Sequence, residues 1–232
     1  MPAAAPTRVR ARGLPRAVEA LTAAAGLVVL APVLLAAAAA VALGSGFPVL
    51  FRQRRVGRGG VPFVLYKLRT MRAAPGPEVT ARGDARVTRV GRFLRRSKLD
   101  ELPQLWNVLV GEMSLVGARP EVPSLVDLAH PLWPKVLEVR PGLTDPVAVR
   151  LRDEEELLAS AGGDPREFYV STLQPWKLAG YVAYQERRTW RSDLEVLSRT
   201  ALVALRPDAF PTVRLQDIVA GAGASPPPGE PS

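Results

Sequence analysis

The sequence predicts a mixed α/β, helix-rich compact domain with a β-hairpin, set behind an N-terminal apolar helical segment. Three features carry that expectation. Residues Ala20 to Leu43 hold no charge and are interrupted by Pro32. Two strand-like stretches flank the turn Gly57-Arg58-Gly59-Gly60. From Arg86 onward, apolar residues recur at steps of three and four, the spacing of helix faces.

The uncharged run is about two dozen residues, long enough for one helix to cross a bilayer core. Pro32 lies near its centre, where it removes a backbone hydrogen bond and crowds the preceding turn. Three arrangements accommodate it. One is a kinked spanning helix. Another is a cleaved signal peptide, with Ala40-Val41-Ala42 resembling the cleavage site, although the run is long for one. The third is a helix–break–helix hairpin that enters and leaves on one face. Arg8, Arg10, Arg12 and Arg16 precede the run, and Arg52, Arg54, Arg55 and Arg58 follow it. Positive flanks resist translocation, and the helix hairpin translocates neither.

Pro48–Arg55 and Val61–Thr70 read as two strands joined by a glycine turn. That glycine cluster lacks the spacing and the following helix of a phosphate-binding loop. Ala73–Ala85, rich in Pro, Gly and charge, reads as a mobile loop. Val90, Phe93 and Leu94 mark one helix; Leu99, Leu102, Leu105, Trp106 and Leu109 mark the next. Ser97 with Asp100 resembles a capping box, and Pro103 is tolerated in a first turn. The second helix is therefore expected to start near 97–100, with both following acids at its N-terminus, where the partial positive charge favours ionised forms. Residues 1–16 read as a flexible basic N-terminus and 211–232 as a disordered Pro/Gly-rich tail.

A net charge of +9 over 232 residues, and a pI near 10.7, favours anionic partners: nucleic acid, an anionic membrane surface or phosphorylated substrates. The absence of Cys excludes disulfides, Cys-based zinc sites and a cysteine nucleophile. One His, His130, excludes a multi-His metal site and reads as structural. A metal here must be held mainly by oxygen, which points to a hard cation such as Mg²⁺.

The most informative stretch is Ser97-Lys98-Leu99-Asp100-Glu101-Leu102-Pro103-Gln104-Leu105-Trp106-Asn107. It places two adjacent carboxylates behind Arg82, Arg86, Arg89, Arg92, Arg95, Arg96 and Lys98, with Arg119 following. Acids held among cations suggest chemistry on a phosphate, with a divalent metal moderating the charge. Taken alone, an Asp at a helix start is most often a cap and the Glu beside it a solvated residue. Glu154-Glu155-Glu156, amid leucines, reads simply as a wet helix face.

At these residues the chain resembles the bacterial sugar transferases, the monotopic polyprenyl-phosphate phosphoglycosyl transferases. The matching blocks run in order. They are Gly46–Gly57, Phe63–Met71, Thr88–Arg95, Ser97–Glu121 and Val139-Arg140-Pro141-Gly142-Leu143-Thr144-Asp145-Pro146. The resemblance spans residues 17–205. It implies transfer of a sugar 1-phosphate from a UDP-sugar to polyprenyl (undecaprenyl) phosphate, releasing UMP, as the first membrane step of exopolysaccharide, capsule or glycoconjugate assembly. Carried over, Asp100 is the nucleophile that forms a covalent phosphosugar intermediate. Glu101 assists with Mg²⁺, held by Asp100 and Glu101, or with the incoming phosphate. Arg119, Arg95, Arg96 and Lys98 are the phosphate-binding candidates, Arg119 foremost because it lies in a matched block and suits two-pronged recognition.

The resemblance also implies a re-entrant membrane helix hairpin over 17–45, broken at Pro32. A cytoplasmic transferase domain over 46–210 would then rest on the cytoplasmic face of the membrane and its anionic lipids. The family usually breaks at Ser-Pro, where this chain has Ala31-Pro32. Ala118 stands where Pro is usual, and Asp145-Pro146-Val147-Ala148-Val149-Arg150 replaces a commoner Gly-Trp-Ala-Gln ending. A homodimer is compatible with all of this. The rivals are a catalytically silent membrane scaffold of glycan assembly and a tethered nucleic-acid binder. No specific nucleic-acid signature is present.

Overall fold

The computed structural model describes residues 13–76, 79–80, 83–151, 154–206 and 210–221. The basic stretch 1–12, Arg82 and the tail over 222–232 lie outside the described residues. Helices α1 (Arg16–Val29) and α2 (Ala31–Ser45) open the chain and are bent by 60°. They are followed by β1 (Leu50–Val56), β2 (Pro62–Leu68), α3 (Arg89–Arg96), α4 (Gln104–Val110) and β3 (Ser114–Val116). Next come α5 (Leu132–Val136), β4 (Gly142–Thr144), α6 (Pro146–Arg150), α7 (Glu154–Ser160) and α8 (Pro165–Phe168). A π-helical turn, Tyr169–Leu173, leads into α9 (Gln174–Arg187), then α10 (Trp190–Leu205) and α11 (Leu215–Gly221).

The bend between α1 and α2 falls on Leu30 (φ −88, ψ 0), one residue before α2 starts. Pro32 thus sits in the first turn of α2, where a missing N–H costs no hydrogen bond. The chain re-forms its ladder at once, Leu34 N donating to Leu30 O at 2.8 Å. No single helix among the described residues is long and apolar enough to cross a membrane. At 14 and 15 residues the arms reach about 21 and 22 Å, short of a hydrocarbon core of about 30 Å.

Strands β1 and β2 pair antiparallel from Leu50↔Leu68 to Val56↔Pro62, as the flanking stretches predicted. Gly59 and Gly60 supply positive φ in the connection. Phe63 and Leu65 of β2 join Ala23 of α1, Leu105 and Val108 of α4, and Met113, Leu115 and Val116 in one core. Gly26 of α1 lets that packing close, since a Cβ there would lie 3.2 Å from Leu105 Cδ1. A larger core forms around Trp133, Val136, Leu173, Leu178 and Tyr181. At the edge of the first core, to which Leu115, Val116 and Leu143 belong, β3 and β4 pair in parallel. Gly117 and Gly142 press backbone to backbone; a Cβ on Gly142 would meet Gly117 N at 2.1 Å.

The helix start expected near Ser97 is not formed. Thr88 caps α3, accepting from Gly91 N at 2.9 Å, and Ser97 ends that helix, its hydroxyl donating back to Phe93 O at 3.0 Å. Lys98 then adopts a left-handed conformation (φ 58), which no α-helix continues through. Leu99–Glu101 form a single 3₁₀ turn, and α4 starts only after Pro103. Asp100 and Glu101 therefore precede α4 and are not its first turn. Within the stretch assigned to the tail, α11 is ordered on the larger core, with Ile218 fully buried.

One buried acid ties α1 to the rest. Glu19, fully buried, accepts from Ser114 Oγ, from Leu115 N at 3.2 Å and from Arg140 Nη2 at 2.6 Å. The bent helix pair is thus bolted to β3 and to the loop entering β4 by charge as well as by packing.

Candidate active site

The 3₁₀ turn after Lys98 sets two neighbouring carboxylates in opposite circumstances. Glu101 is saturated. Its Oε1 accepts from Lys67 Nζ at 2.9 Å and from Arg119 Nη2 at 2.5 Å, and its Oε2 accepts from Arg119 Nη1 at 3.2 Å. Asp100 is buried, with an exposure of 6%, and its Oδ1 has no hydrogen-bond partner. Such an orphaned buried oxygen is costly and calls for a reason.

The electrostatics follow the geometry. Burial pushes the Asp100 carboxyl above its ordinary value, and the Glu101 charge pushes it the same way; Lys67, Lys98 and Arg95 act against that rise. Burial alone would raise Glu101 too, but Arg119 and then Lys67 outweigh it and hold the group well below the usual carboxylate range. The helix-start field expected for the two acids is replaced by these side chains. Burial pulls the Lys67 ammonium down to about 8, with Glu101 opposing.

The elements that deliver these groups are far apart in sequence. Lys67 comes from β2, the acids from the turn before α4, and Arg119 from the loop that leaves β3. In that loop, Arg55 of β1 donates from Nη1 to Pro120 O at 2.9 Å, and Val56 N donates to Glu121 O at 2.8 Å. Glu121 is itself buried; it accepts from Tyr169 Oη and lies 3.7 Å from Arg55 Nη1. Lys177 of α9, also buried, donates to Tyr169 Oη at 3.2 Å and to Glu154 Oε1 at 3.1 Å.

Of the predicted phosphate-binding residues, Arg119 bonds directly to Glu101. Arg95 is bound to Thr70 Oγ1 at 3.0 Å and to Glu155 Oε1 at 2.5 Å. Lys98 is exposed, and its charge acts on both acids. Arg96 is exposed on α3 and, among the described residues, is bonded to neither acid. The acidic run of α7 is more than a wet face: Glu154 and Glu155 reach Lys177 and Arg95. His130 accepts from Leu132 N at 3.3 Å within its own turn.

Sequence reasoning assigned no site role to Lys67, Arg55, Glu121, Tyr169 or Lys177. Lys67, Arg55 and Glu121 carried a usable signal, being charged residues inside matched blocks. Tyr169 and Lys177 carried none in the local pattern.

No group of three or more acidic or histidine ligands with metal-binding geometry occurs among the described residues. Mg²⁺ commonly takes one or two carboxylates and leaves its other positions to water and substrate phosphates. The partnerless Oδ1 of Asp100 fits that donor role. Glu101 fits it only by giving up hydrogen bonds to Lys67 or Arg119.

Comparison with known proteins places this geometry in context. The family model described as bacterial sugar transferase matches residues 10–207. A UDP-glucose:undecaprenyl-phosphate glucose-1-phosphate transferase of Caulobacter vibrioides is 42% identical over 201 residues, covering 83% of this chain and 70% of that protein. A UDP-N-acetylgalactosamine-undecaprenyl-phosphate N-acetylgalactosaminephosphotransferase of Aeromonas hydrophila is 41% identical over 56% of this chain and 32% of its own length. A UDP-glucose:undecaprenyl-phosphate glucose-1-phosphate transferase of Escherichia coli is 47% identical over 47% of this chain and 24% of its own. The chain thus spans most of the first relative and a third or less of the other two. A family match over residues 10–207, which takes in every site residue named above, makes the chain a member of the bacterial sugar transferase family.

Proposed function

We propose that this chain transfers a sugar 1-phosphate from a UDP-sugar to polyprenyl phosphate, giving polyprenyl diphosphate sugar and UMP. The observation that carries the reading is the contrast between the two acids: Glu101 is spent on Arg119 and Lys67, while Asp100 keeps a buried oxygen free. A carboxylate oxygen without a partner is an available nucleophile. Its raised proton affinity also makes it a better one than a fully paired carboxylate.

In the first step an Asp100 oxygen bonds to the sugar-bearing phosphorus. The bond from that phosphorus to the bridging oxygen breaks, and UMP leaves with the electron pair. In the second step an oxygen of polyprenyl phosphate attacks the same phosphorus, and the bond to Asp100 breaks, restoring the carboxylate. Arg119 and Lys67 stand beside the acids as fixed cations against which charge on the transferring group develops. Lys98 and Arg95 add to the same field. Mg²⁺, when bound at the Asp100 carboxylate, supplies further charge neutralisation on the diphosphate.

The membrane placement is part of the same proposal. Two apolar arms, each too short to cross alone and bent by 60°, support a helix hairpin that enters and leaves at the cytoplasmic face. Val18, Leu21, Val28, Val29, Leu35 and Leu43 stand exposed along it, which suits burial in lipid. A polyprenyl acceptor would then be confined to the same surface.

The test is UMP release from UDP-glucose and UDP-N-acetylgalactosamine by membrane-embedded protein with Mg²⁺ and undecaprenyl phosphate. Polyprenol-dependent release that Asp100→Asn abolishes is expected. Equal release by Asp100→Asn would remove Asp100 as nucleophile.

A further inference from the structure

We propose that the outer face of α3 is a docking surface for anionic lipid headgroups. It rests on the helix hairpin proposed for α1 and α2, and it gives Arg96 to the lipid and not to the transferred phosphate.

α3 carries four arginines and no acid. Arg95 turns to Thr70 Oγ1 and Glu155 and is spent there. Arg89, Arg92 and Arg96 are exposed, and among the described residues none of the three forms an ion pair or a side-chain hydrogen bond. Beside them Phe93 is 64% exposed. With 3.6 residues per turn, Phe93 lies about 60° around the helix from Val90, and Arg89 and Arg96 lie within about 60° beyond Phe93. The order around α3 is therefore an apolar contact with α2, an exposed ring, and then free cations. A helix lying in a membrane interface has this cross-section, with its ring at the acyl boundary and its charges among the headgroups.

A single exposed Phe is ordinary on a protein surface. What sets this one apart is where α3 is attached. Val90, Leu94 and Leu99 join Ala37, Ala38 and Val41 of α2 in one core, and a Cβ on Gly44 would lie 3.1 Å from Val90 Cγ2. These contacts fall within about 12 Å of the end of α2. An interfacial helix reaches about 5–10 Å into the boundary of headgroups and chains, a matching depth.

The attachment is also stiff. Arg69 donates to Ser45 O at 2.5 Å and to Phe47 O at 3.1 Å, and it binds Gly46 O as well. Its neighbour Thr70 presses on α3, since a Cβ on Gly91 would meet Thr70 O at 1.9 Å. A hairpin lodged in the membrane thus carries α3 to the level where α2 leaves it. Lys98 and Asp100 follow directly on α3, so docking holds the Asp100 turn beside the headgroups, where a polyprenyl acceptor presents its phosphate.

The experiment takes advantage of the cysteine-free sequence. Phe93→Cys and Leu35→Cys each receive one environment-sensitive fluorophore, in nanodiscs of phosphatidylcholine with or without phosphatidylglycerol. Lipids spin-labelled near the headgroup or deep in the chains are the quenchers. With phosphatidylglycerol present, the probe at position 93 is expected to be quenched by the shallow label. Omitting phosphatidylglycerol, raising the salt, or changing Arg89, Arg92 and Arg96 together to Gln should cut that quenching at least about twofold. The substituted side chains of α3 are all exposed, so its packing on α2 is retained. Absence of quenching with phosphatidylglycerol overturns the proposal, and so does quenching that ignores the removal of charge from either partner. A probe at 93 shielded from aqueous iodide yet untouched by lipid quenchers also overturns it, and would put protein on this face. Leu35 lies exposed on α2 well before its end and reports the hairpin itself, by quenching from the deep label in either lipid. A Leu35 probe that no lipid quenches would sink the helix hairpin, while a probe at 93 that still answers to phosphatidylglycerol would keep the docking face.

Discussion

Arg119 grips Glu101 with both guanidinium nitrogens, Nη2 at 2.5 Å from Oε1 and Nη1 at 3.2 Å from Oε2, while Lys67 holds Oε1 from the other side. One acid therefore fixes two cations that would otherwise repel each other. Glu101→Gln keeps the shape and removes the charge. Breaking a buried pair by neutralising one partner costs several kcal/mol, and the partial exposure of Arg119 reduces that to about 1–3 kcal/mol here. Thermal unfolding should fall by roughly 2–10 °C for a domain of this size. An unchanged Tm would show that Glu101 is not the hub of the cluster.

Lys67 gives a pH signature with opposite signs in activity and stability. Its ammonium titrates at about 8 in the fold against 10.5 for a free lysine. Between those values the unfolded chain binds more protons, so the Lys67 contribution to stability rises with pH across that window. The cationic form is the one beside the acids, so UMP release should fall through the same window. Lys67→Arg should move the falling limb above pH 10, since arginine stays protonated there. A falling limb that stays near pH 8 in Lys67→Arg would assign it to another group.

How much of this was legible beforehand depends on the range of the interaction. Asp100, Glu101 and Arg119 sit in dense local blocks, and the β-hairpin follows from glycines and strand-forming residues close in sequence. Lys98 shows where local reasoning fails. A capping box was expected at Ser97 and Asp100, but the left-handed Lys98 splits the two helices and turns the Ser97 hydroxyl back onto α3. Nothing in residue spacing announces a positive φ at a lysine. The Glu121–Tyr169–Lys177 chain joins residues from a loop, a π turn and α9. Tertiary packing alone brings those together, and a buried Tyr or Lys looks in sequence like any other half-polar helix residue. Glu19 is the same case: an acid at the edge of an apolar helix, satisfied by Ser114 and by Arg140.

Asp145 offers a second pH test, independent of catalysis. It caps α6 by accepting from Ala148 N at 2.7 Å, yet burial pushes its carboxyl up to about 6. A carboxyl raised in the fold binds its proton more tightly there than in the unfolded chain. Its charge therefore lowers stability as pH rises from about 4 through 6, fully so above that. Asp145→Asn keeps a good capping side chain without the charge. It should stabilise the protein at pH 7.5 by on the order of 1–3 kcal/mol and have little effect at pH 4. A destabilised Asp145→Asn at pH 7.5 would mean that its charge is wanted, by Lys177 or Arg119, more than burial opposes it.

The proposed helix hairpin makes the last prediction, and the composition makes it easy to check. The chain has no cysteine, so any introduced one is the only label site. In sequence, Thr7→Cys precedes α1 and Ser225→Cys follows α11. If α1 and α2 enter and leave on one face, both label with an impermeant maleimide from the cytoplasmic side only. Pro32 holds the break by excluding itself from any helix interior. In Pro32→Ala the arms can join into one helix of about 45 Å, ample to cross a bilayer. Four arginines before the segment oppose that crossing. Pro32→Ala should therefore expose position 7 to the far side in only a fraction of molecules. With Pro32 intact, labelling of Thr7→Cys and Ser225→Cys from opposite sides would establish a span and remove the helix hairpin.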